Sequence, residues 1–288
     1  MIRFIKSSLL FLSIPSLFAQ SAWLRSEGET YLQFSSTGIF NYDSQFFDGT
    51  EEYKLHTSGS DLTLNLYAEY GLSDNTTLVA SLPYKFLHFE ETNNIDPIFD
   101  DANNQFVQYA KGGSLNGLSN MEIGIRQMIS EKKINIAGQL VVMANSIKVD
   151  SDKGLRTGYD AMIVKPSIAI GYGKSAYFSQ AHLEYEYFNN SYSDRLNGYI
   201  ESGIKFKDQL WVIGYIDAVI SLKNGELSEI PEVWAGLFLN NQEYIGIGLK
   251  LIYELKEDIG ITFNPGTAIS ANHLPKAPAL TIGAFAKF

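Results

Sequence analysis

The sequence contains no cysteine and only four histidines, His56, His88, His182 and His273. The lack of cysteine excludes disulfides, thiolate metal sites, a cysteine nucleophile and a lipid anchor on cysteine. The histidines are scattered, and no pair has the spacing of a His-Glu-x-x-His metal motif. We therefore expect no metal and no cofactor.

Basic residues are outnumbered by acidic ones, 22 against 32, and the formal net charge is −10. A nucleic-acid partner is not expected, because contacts to phosphate require lysine and arginine. Aromatic residues are plentiful, with 17 Tyr and 18 Phe, and so is glycine. This composition is typical of strands, turns and aromatic girdles at a membrane surface.

The N-terminus has the pattern of a secretory signal peptide. Arg3 and Lys6 form a basic region, the apolar segment 8–18 follows, and Ala19-Gln20 is a plausible cleavage point. The apolar segment is too short to cross a membrane as a helix. We expect residues 1–19 to be the signal and 20–288 to be one exported domain. An uncleaved N-terminal anchor is the alternative.

No later segment has the roughly 18 apolar residues of a transmembrane helix. Instead, the chain repeats segments of 10 to 15 residues in which apolar and polar side chains alternate. They predict twelve strands, at 28–42, 58–71, 76–89, 117–129, 133–147, 159–173, 176–189, 195–206, 209–222, 242–255, 257–270 and 277–288. Segment 231–241 is treated as part of a loop; as a short extra hairpin it would raise the count to fourteen.

Short polar turns alternate with long polar loops along the chain, as in outer-membrane barrels. We therefore predict an all-β, closed, antiparallel transmembrane β-barrel, with short periplasmic turns and longer extracellular loops. A soluble β-sandwich has the same alternation, but aromatics cluster near strand ends, as at Tyr84 and Phe86. The closing strand also ends on Phe288, a residue typical of the signal read by the barrel-assembly machinery. Outer-membrane lipid and that machinery are the expected partners.

The polar faces of the strands would point into the barrel. The candidate lumen-lining residues are Asp61, Glu69, Lys85, Glu122, Arg126, Lys165, His182, Glu184, Glu186, Glu201, Asp217 and Lys250. If Lys174-Ser175 is a two-residue turn, Lys165 faces Glu184 and Ser167 faces His182. A barrel of twelve strands lies between one filled by side chains and one with a wide channel. The polar face predicts a narrow pore, and the alternative is an interior closed by salt bridges.

Two other sites are considered. Ser179 lies on the opposite face from His182, and Ser167 could face His182, but no oxyanion donor is evident. We therefore expect no enzyme activity. The acidic loop at 90–116 could hold Ca²⁺, although its carboxylates Glu90, Glu91, Asp96, Asp100 and Asp101 lack EF-hand spacing. A solvated acidic loop is the simpler interpretation.

Two segments resemble a known family. Tyr70–Leu78 (YGLSDNTTL) with Ser81–Tyr84 (SLPY) resembles its first hairpin, and Gly117–Arg126 (GLSNMEIGIR) resembles its "GLGDLEIGxR" strand. These segments are similar to the putative meta-pathway phenol-degradation proteins, a group of outer-membrane barrels. Here Ser119-Asn120 replaces the usual Gly-Asp. The resemblance implies a barrel for uptake of small, often apolar compounds, and it carries no catalytic residues.

From these observations we expect an outer-membrane channel or transporter-like protein for passive uptake of small solutes, including apolar or aromatic ones. The alternative is a structural or surface-interaction barrel with acidic loops and an occluded lumen. A barrel-embedded hydrolase is a third, weaker hypothesis.

Overall fold

A computed structural model describes residues 21–92, 98–100, 105–107, 109–230 and 233–288. The expected signal peptide, 1–19, lies outside these residues, as do Asp96 and Asp101 of the acidic loop. Within the described residues, no helix is long and apolar enough to span a membrane.

Twelve strands form one closed antiparallel sheet, and one of the twelve is interrupted. Each strand pairs with its neighbours along the chain, and the first strand also pairs with the last. The barrel strands are β1 (Thr30–Phe46), β2 (Glu52–Ser73), β3 (Thr76–Phe89), the interrupted strand β6 (Gly113–Leu118) with β7 (Glu122–Glu131), β8 (Asn135–Met143), β11 (Ile163–Lys174), β12 (Tyr177–Phe188), β13 (Arg195–Phe206), β14 (Leu210–Ser221), β15 (Glu243–Lys256), β16 (Ile259–Asn272) and β18 (Ala279–Lys287).

The closure is visible at Tyr31, which pairs with Glu69 on β2 and with Lys287 on β18. Closure pairs the first strand with the last, which removes the two free edges of an open sheet and with them the main route to edge-to-edge aggregation. The predicted twelve-stranded, all-β barrel is confirmed.

The connections alternate in length as predicted. Short turns join β2 to β3, β7 to β8, β11 to β12, β13 to β14 and β15 to β16. The longer connections at the other end carry short strands. Two small separate sheets are formed by β4 (Ile98–Asp100) with β5 (Gln105–Val107) and by β9 (Val149–Asp150) with β10 (Leu155–Arg156), and β17 (Leu274–Pro275) pairs with the end of β1.

Residues 233–241 form turns rather than strands, so the fourteen-strand alternative is wrong. Ala235, Leu237 and Leu239 are buried in this segment. The apolar residues that suggested a hairpin therefore pack inside the barrel.

The GLSN segment, residues 117–120, lies at the break between β6 and β7. Between β6 and β7 the Asn120 side chain accepts a hydrogen bond from the Tyr159 backbone N–H at 2.8 Å and donates to the Tyr159 carbonyl at 2.9 Å. Pro83 lies opposite this break, where its missing N–H costs no ladder hydrogen bond. The Asn120 side chain therefore makes hydrogen bonds in place of the backbone ladder at the break between β6 and β7.

The predicted register between β11 and β12 is wrong by two residues. Ser167 pairs with Glu184, and Ala169 pairs with His182. The turn is centred on Ser175-Ala176 rather than on Lys174-Ser175, which shifts the whole ladder. Lys165 therefore does not face Glu184, and Ser167 does not face His182.

The outer surface of the barrel is apolar. Leu66, Leu140, Leu183 and Ile200 are each about half exposed and lie in mid-strand positions. Most exposed aromatic side chains lie towards the ends of the strands, while Phe34 and Phe263 are exposed nearer mid-strand. Towards the short turns they are Tyr70, Tyr177, Phe206, Tyr253 and Phe288, and towards the long loops they are Phe40, Phe47, Phe86 and Tyr187. This is the distribution of a transmembrane barrel with two aromatic girdles.

Candidate functional site

The lumen is the polar face of the barrel, and it contains all twelve candidate residues. Because side chains alternate along a strand, these residues point away from the apolar outer surface. Nine of them are buried: Asp61, Glu69, Arg126, Lys165, His182, Glu184, Glu186, Glu201 and Lys250. The other three, Lys85, Glu122 and Asp217, are half-buried.

Most lumenal charges are paired across strands. The ion pairs are Lys85 with Asp61 at 2.5 Å, Lys165 with Glu122 at 2.7 Å, Arg126 with Glu69 at 3.0 Å, Lys250 with Glu201 at 2.8 Å, Lys205 with Glu254 at 2.6 Å and Arg195 with Glu186 at 2.5 Å. Pairing offsets the desolvation of charge in a confined space. The positive side chains of the lumen are therefore largely balanced by negative ones, and the lumen presents mainly hydrogen-bonding groups.

Two arginines of this network were not among the candidate residues. Arg195 lies at the start of β13 and shares a face with Glu201, so the alternation itself could have identified it. Arg25 precedes β1 and shows no strand periodicity. Its role becomes visible only in three dimensions, where its side chain contacts Glu69 at 2.5 Å.

The N-terminal segment 21–27 closes the lumen near the short turns. The Trp23 carbonyl accepts a hydrogen bond from Arg126 at 3.1 Å, and the Ala22 N–H donates to Gln180 at 3.2 Å. The Trp23 ring meets Phe178 edge to face, with ring centroids 5.9 Å apart. A buried aromatic cluster packs at this level: Tyr31, Tyr67, Phe178, Trp211 and Phe285, with Ile213 and Ile252.

A second segment folds inward at the long-loop end. In segment 233–241 the Gly236 carbonyl accepts a hydrogen bond from Gln45 of β1 at 2.5 Å. Lys85 lies 5.2 Å from the centre of the Phe238 ring, and Phe238 packs edge to face on Tyr159. This segment, called here the outer loop, narrows the lumen from the opposite side.

Two cavities occupy the lumen between these two segments. One, of about 460 Å³, is lined by Thr63, Asn65, Ser81 and Gln139 among others. The other, of about 390 Å³, lies next to the outer loop and is lined by His182, Glu184, Asn197 and Phe238 among others. Lys165 and Asp217 line both. A third cavity, of about 1200 Å³, opens at the short-turn end beyond Trp23 and Arg25.

The structure does not assemble a serine–histidine pair. Within the described residues, the Ser167 hydroxyl and both ring nitrogens of His182 have no hydrogen-bond partner, so the two side chains are not hydrogen-bonded to each other. Nucleophilic catalysis by serine needs a base within hydrogen-bond reach. The hydrolase hypothesis therefore has no geometric support at these residues.

An apolar outer surface, two aromatic girdles and a polar, partly occluded lumen define the fold as that of an outer-membrane β-barrel. No protein-family model matches the chain, and no curated protein matches it by sequence.

Solved structures of the same architecture do match. The chain is similar in fold to the COG4313 outer membrane channel from Pseudomonas putida F1, with a TM-score of 0.68 and 11% identity over 95% of this chain and 100% of that chain. It is also similar to the translocator domain of the autotransporter NalP from Neisseria meningitidis, with a TM-score of 0.53 and 9% identity over 91% and 90% of the two chains. A third similar structure is the NanC porin, with a TM-score of 0.52 and 6% identity over 88% of this chain and 100% of that chain. At these identities the likeness establishes the fold.

Proposed function

We propose that this protein is an outer-membrane channel for passive uptake of small solutes. The observation that carries the proposal is the pair of lumenal cavities, about 460 and 390 Å³, inside a barrel whose outer surface is apolar. A barrel with only a structural role gains nothing from empty polar space in its interior. Cavities of this size are typical of small-molecule sites.

The segments that occlude the lumen are not part of the barrel wall. Segment 21–27 and the outer loop are held by side-chain contacts, such as Arg25 to Glu69 and Gln45 to Gly236. Each can leave the lumen without breaking a strand ladder. A path can therefore open while the barrel stays intact.

A structural barrel with a permanently closed lumen is the second candidate function. The observation that favours it is that both ends are occupied, by Trp23 and Arg25 at one end and by Phe238 at the other. The two functions differ in one measurable property, the passage of ions.

The test is ion conductance of refolded protein in a planar lipid bilayer. The channel function predicts discrete current steps from single barrels. A variant that lacks residues 21–27 should conduct more in each step, because the layer around Trp23 is removed. The control replaces Lys132 and Lys133, exposed residues of the turn between β7 and β8, by alanine. Protein that is folded and inserted but passes no current, with or without residues 21–27, would overturn the channel function in favour of the structural one.

The nature of the solute and the family are further proposals. The YGLSDNTTL, SLPY and GLSNMEIGIR segments support membership of the meta-pathway phenol-degradation group, with its association with small aromatic compounds. Asn120 of the GLSN segment has a structural role, because its side chain hydrogen-bonds the backbone of Ala144 and of Tyr159 and so joins three chain segments.

We also propose that the chain is exported by a cleaved signal peptide and assembled through its terminal aromatic residue. Signal cleavage near Ala19 would leave Ser21 and its neighbours free to enter the lumen, where Ser21 is buried. Phe288 is 74% exposed on the outer surface, and its backbone N–H donates to Thr30 at 2.9 Å, so the terminal aromatic ring is available to the assembly machinery. Deleting Phe288 should reduce the amount of protein in the outer membrane, while Lys287→Ala should not.

A further inference from the structure

Several buried polar atoms on one wall of the lumen have no hydrogen-bond partner among the described residues. They are Gln139 Nε2, Ser167 Oγ, Asn197 Oδ1 and both ring nitrogens of His182. His182 is only 6% exposed. An unpaired buried donor or acceptor is energetically costly, and natural proteins rarely leave one without a partner.

These atoms form a continuous band across four adjacent strands. Gln139 on β8 pairs with Ser167 on β11, which pairs with Glu184 on β12, which pairs with Asn197 on β13. His182 lies on the same face of β12, two residues from Glu184. We call this set (Gln139, Ser167, His182 and Asn197) the polar band.

The polar band borders both lumenal cavities. His182 and Asn197 line the cavity of about 390 Å³, and Gln139 lines the cavity of about 460 Å³. The side chains of His182, Asn197 and Gln139 therefore border the permeation path, and Ser167 lies beside Gln139 in the ladder. Tyr159 and Tyr199 also line the smaller cavity and add ring surface beside the band.

The charged groups beside the band, including the carboxylates Glu184 and Asp217 on the same cavity, disfavour an anionic ligand. The cations nearest to it are already paired, Lys165 with Glu122 at 2.7 Å and Arg195 with Glu186 at 2.5 Å. No spare positive charge among these groups would hold an anion. The Gln139 amide donates, the Asn197 oxygen accepts, and a neutral imidazole and a hydroxyl do both.

A ligand that suits this set carries several groups that are each donor and acceptor, which describes a hydroxyl-rich solute. We propose that the polar band is a binding subsite for a small neutral polyhydroxylated solute, of the size of a monosaccharide or polyol, on the permeation path. The proposal rests on the channel function and deepens it. It also assigns the channel a hydrogen-bonding solute in place of the apolar compounds that the family resemblance implies.

The test compares three solutes of equal size and different charge: glucose, gluconate and protonated glucosamine. Vesicles containing the protein are placed in each solute, and the rate of swelling is measured. We expect glucose to enter fastest. In the same preparation, glucose added to a planar bilayer should interrupt the ion current of single channels, and gluconate should not.

Two variants test whether the polar band causes the preference for glucose. His182→Leu and Asn197→Leu keep the side-chain volume approximately and remove the hydrogen-bonding atoms. Each should slow glucose entry about fivefold, the factor equivalent to one hydrogen bond of about 1 kcal/mol, and should weaken the interruption of the ion current by glucose. The control is Thr281→Val on β18, a lumenal residue whose hydroxyl already bonds Thr37 at 2.8 Å.

The outcomes distinguish failure of the subsite from failure of the channel function. Equal entry of all three solutes, with no effect of His182→Leu or Asn197→Leu, would mean that the band holds water only and would overturn the subsite while leaving the channel in place. If the protein passes no ions at all, the channel function fails, and glucose binding is measured calorimetrically in detergent. Binding that is lost in His182→Leu would keep the subsite, and no binding would overturn it as well.

Discussion

The guanidinium group of Arg156 lies over the indole ring of Trp234, with its central carbon 3.8 Å from the ring centroid. The same guanidinium donates to the Tyr192 hydroxyl at 2.6 Å and forms an ion pair with Glu229. Arg156 belongs to one long loop, and Trp234 and Glu229 belong to another. One side chain therefore anchors the outer loop in the mouth of the barrel.

Loss of this anchor should open the outer end of the lumen. A desolvated cation–π contact contributes up to about 2 kcal/mol. We expect Trp234→Ala to raise the fraction of time that single channels spend in their largest conductance state. Lys276→Ala is the control, because Lys276 lies 5.5 Å from the Phe46 ring in an exposed setting. Equal behaviour of the two variants would contradict the anchoring role of Arg156.

The anchor should also respond to pH. Burial raises the pKa of the Glu229 carboxyl above its ordinary value, and Arg156 opposes this only in part. The closed loop therefore binds the proton more tightly than an open loop does. The closed state becomes more stable as the pH falls through the raised pKa of Glu229 towards the ordinary pKa of glutamate. It becomes less stable as the pH rises.

We therefore expect single channels to spend more time closed at pH 4 than at pH 7. Glu229→Gln should flatten this dependence, whereas Glu226→Gln, at an exposed position of the same connection between β14 and β15, should not. A pH dependence that is unchanged in Glu229→Gln would assign the effect to another group.

The fully buried pair of Lys250 and Glu201 should dominate stability near the short-turn end. Both side chains are 0% exposed, and Glu201 also accepts hydrogen bonds from Gln180 at 2.7 Å and Tyr199 at 2.5 Å. Replacing one partner leaves the other charge buried and unpaired, which costs about 3–5 kcal/mol.

We expect Lys250→Met to lower the free energy of unfolding in a urea titration by that amount. The double variant Lys250→Met with Glu201→Gln should recover part of the loss, because no full charge then remains unpaired. A double variant that is less stable than Lys250→Met alone would refute the pairing as the cause.

The outer surface provides a separate test of orientation. Leu140 is 47% exposed in the middle of β8 and would lie in hydrocarbon. Leu140→Arg should destabilise the folded barrel by about 2–4 kcal/mol in a refolding titration in lipid. Leu140→Phe is the matched control and should cost much less. If the two substitutions cost the same, Leu140 is not in contact with lipid.

The barrel itself could be predicted from sequence because its signal is local. Alternation within one strand, as from Asp61 to Tyr70, reports the two environments directly. The register between β11 and β12 could not be predicted because the short residues Ser175 and Ala176 after Lys174 allow two adjacent turn centres, and these differ by two positions in the ladder. The lumenal role of Arg25 and Phe238 could not be predicted, since neither belongs to an alternating strand and each is placed by residues distant in sequence.

The central claim is that neighbouring side chains on one strand meet different solvents, and the absence of cysteine allows a direct measurement. Single variants Thr63→Cys, Leu64→Cys, Asn65→Cys and Leu66→Cys are reconstituted in vesicles and exposed to a small, charged, water-soluble thiol reagent. Thr63 and Asn65 line the larger lumenal cavity, and Leu66 is 46% exposed on the outer surface. We predict labelling at positions 63 and 65 and protection by lipid at positions 64 and 66. Equal labelling at all four positions, or labelling at 64 and 66 alone, would contradict the account.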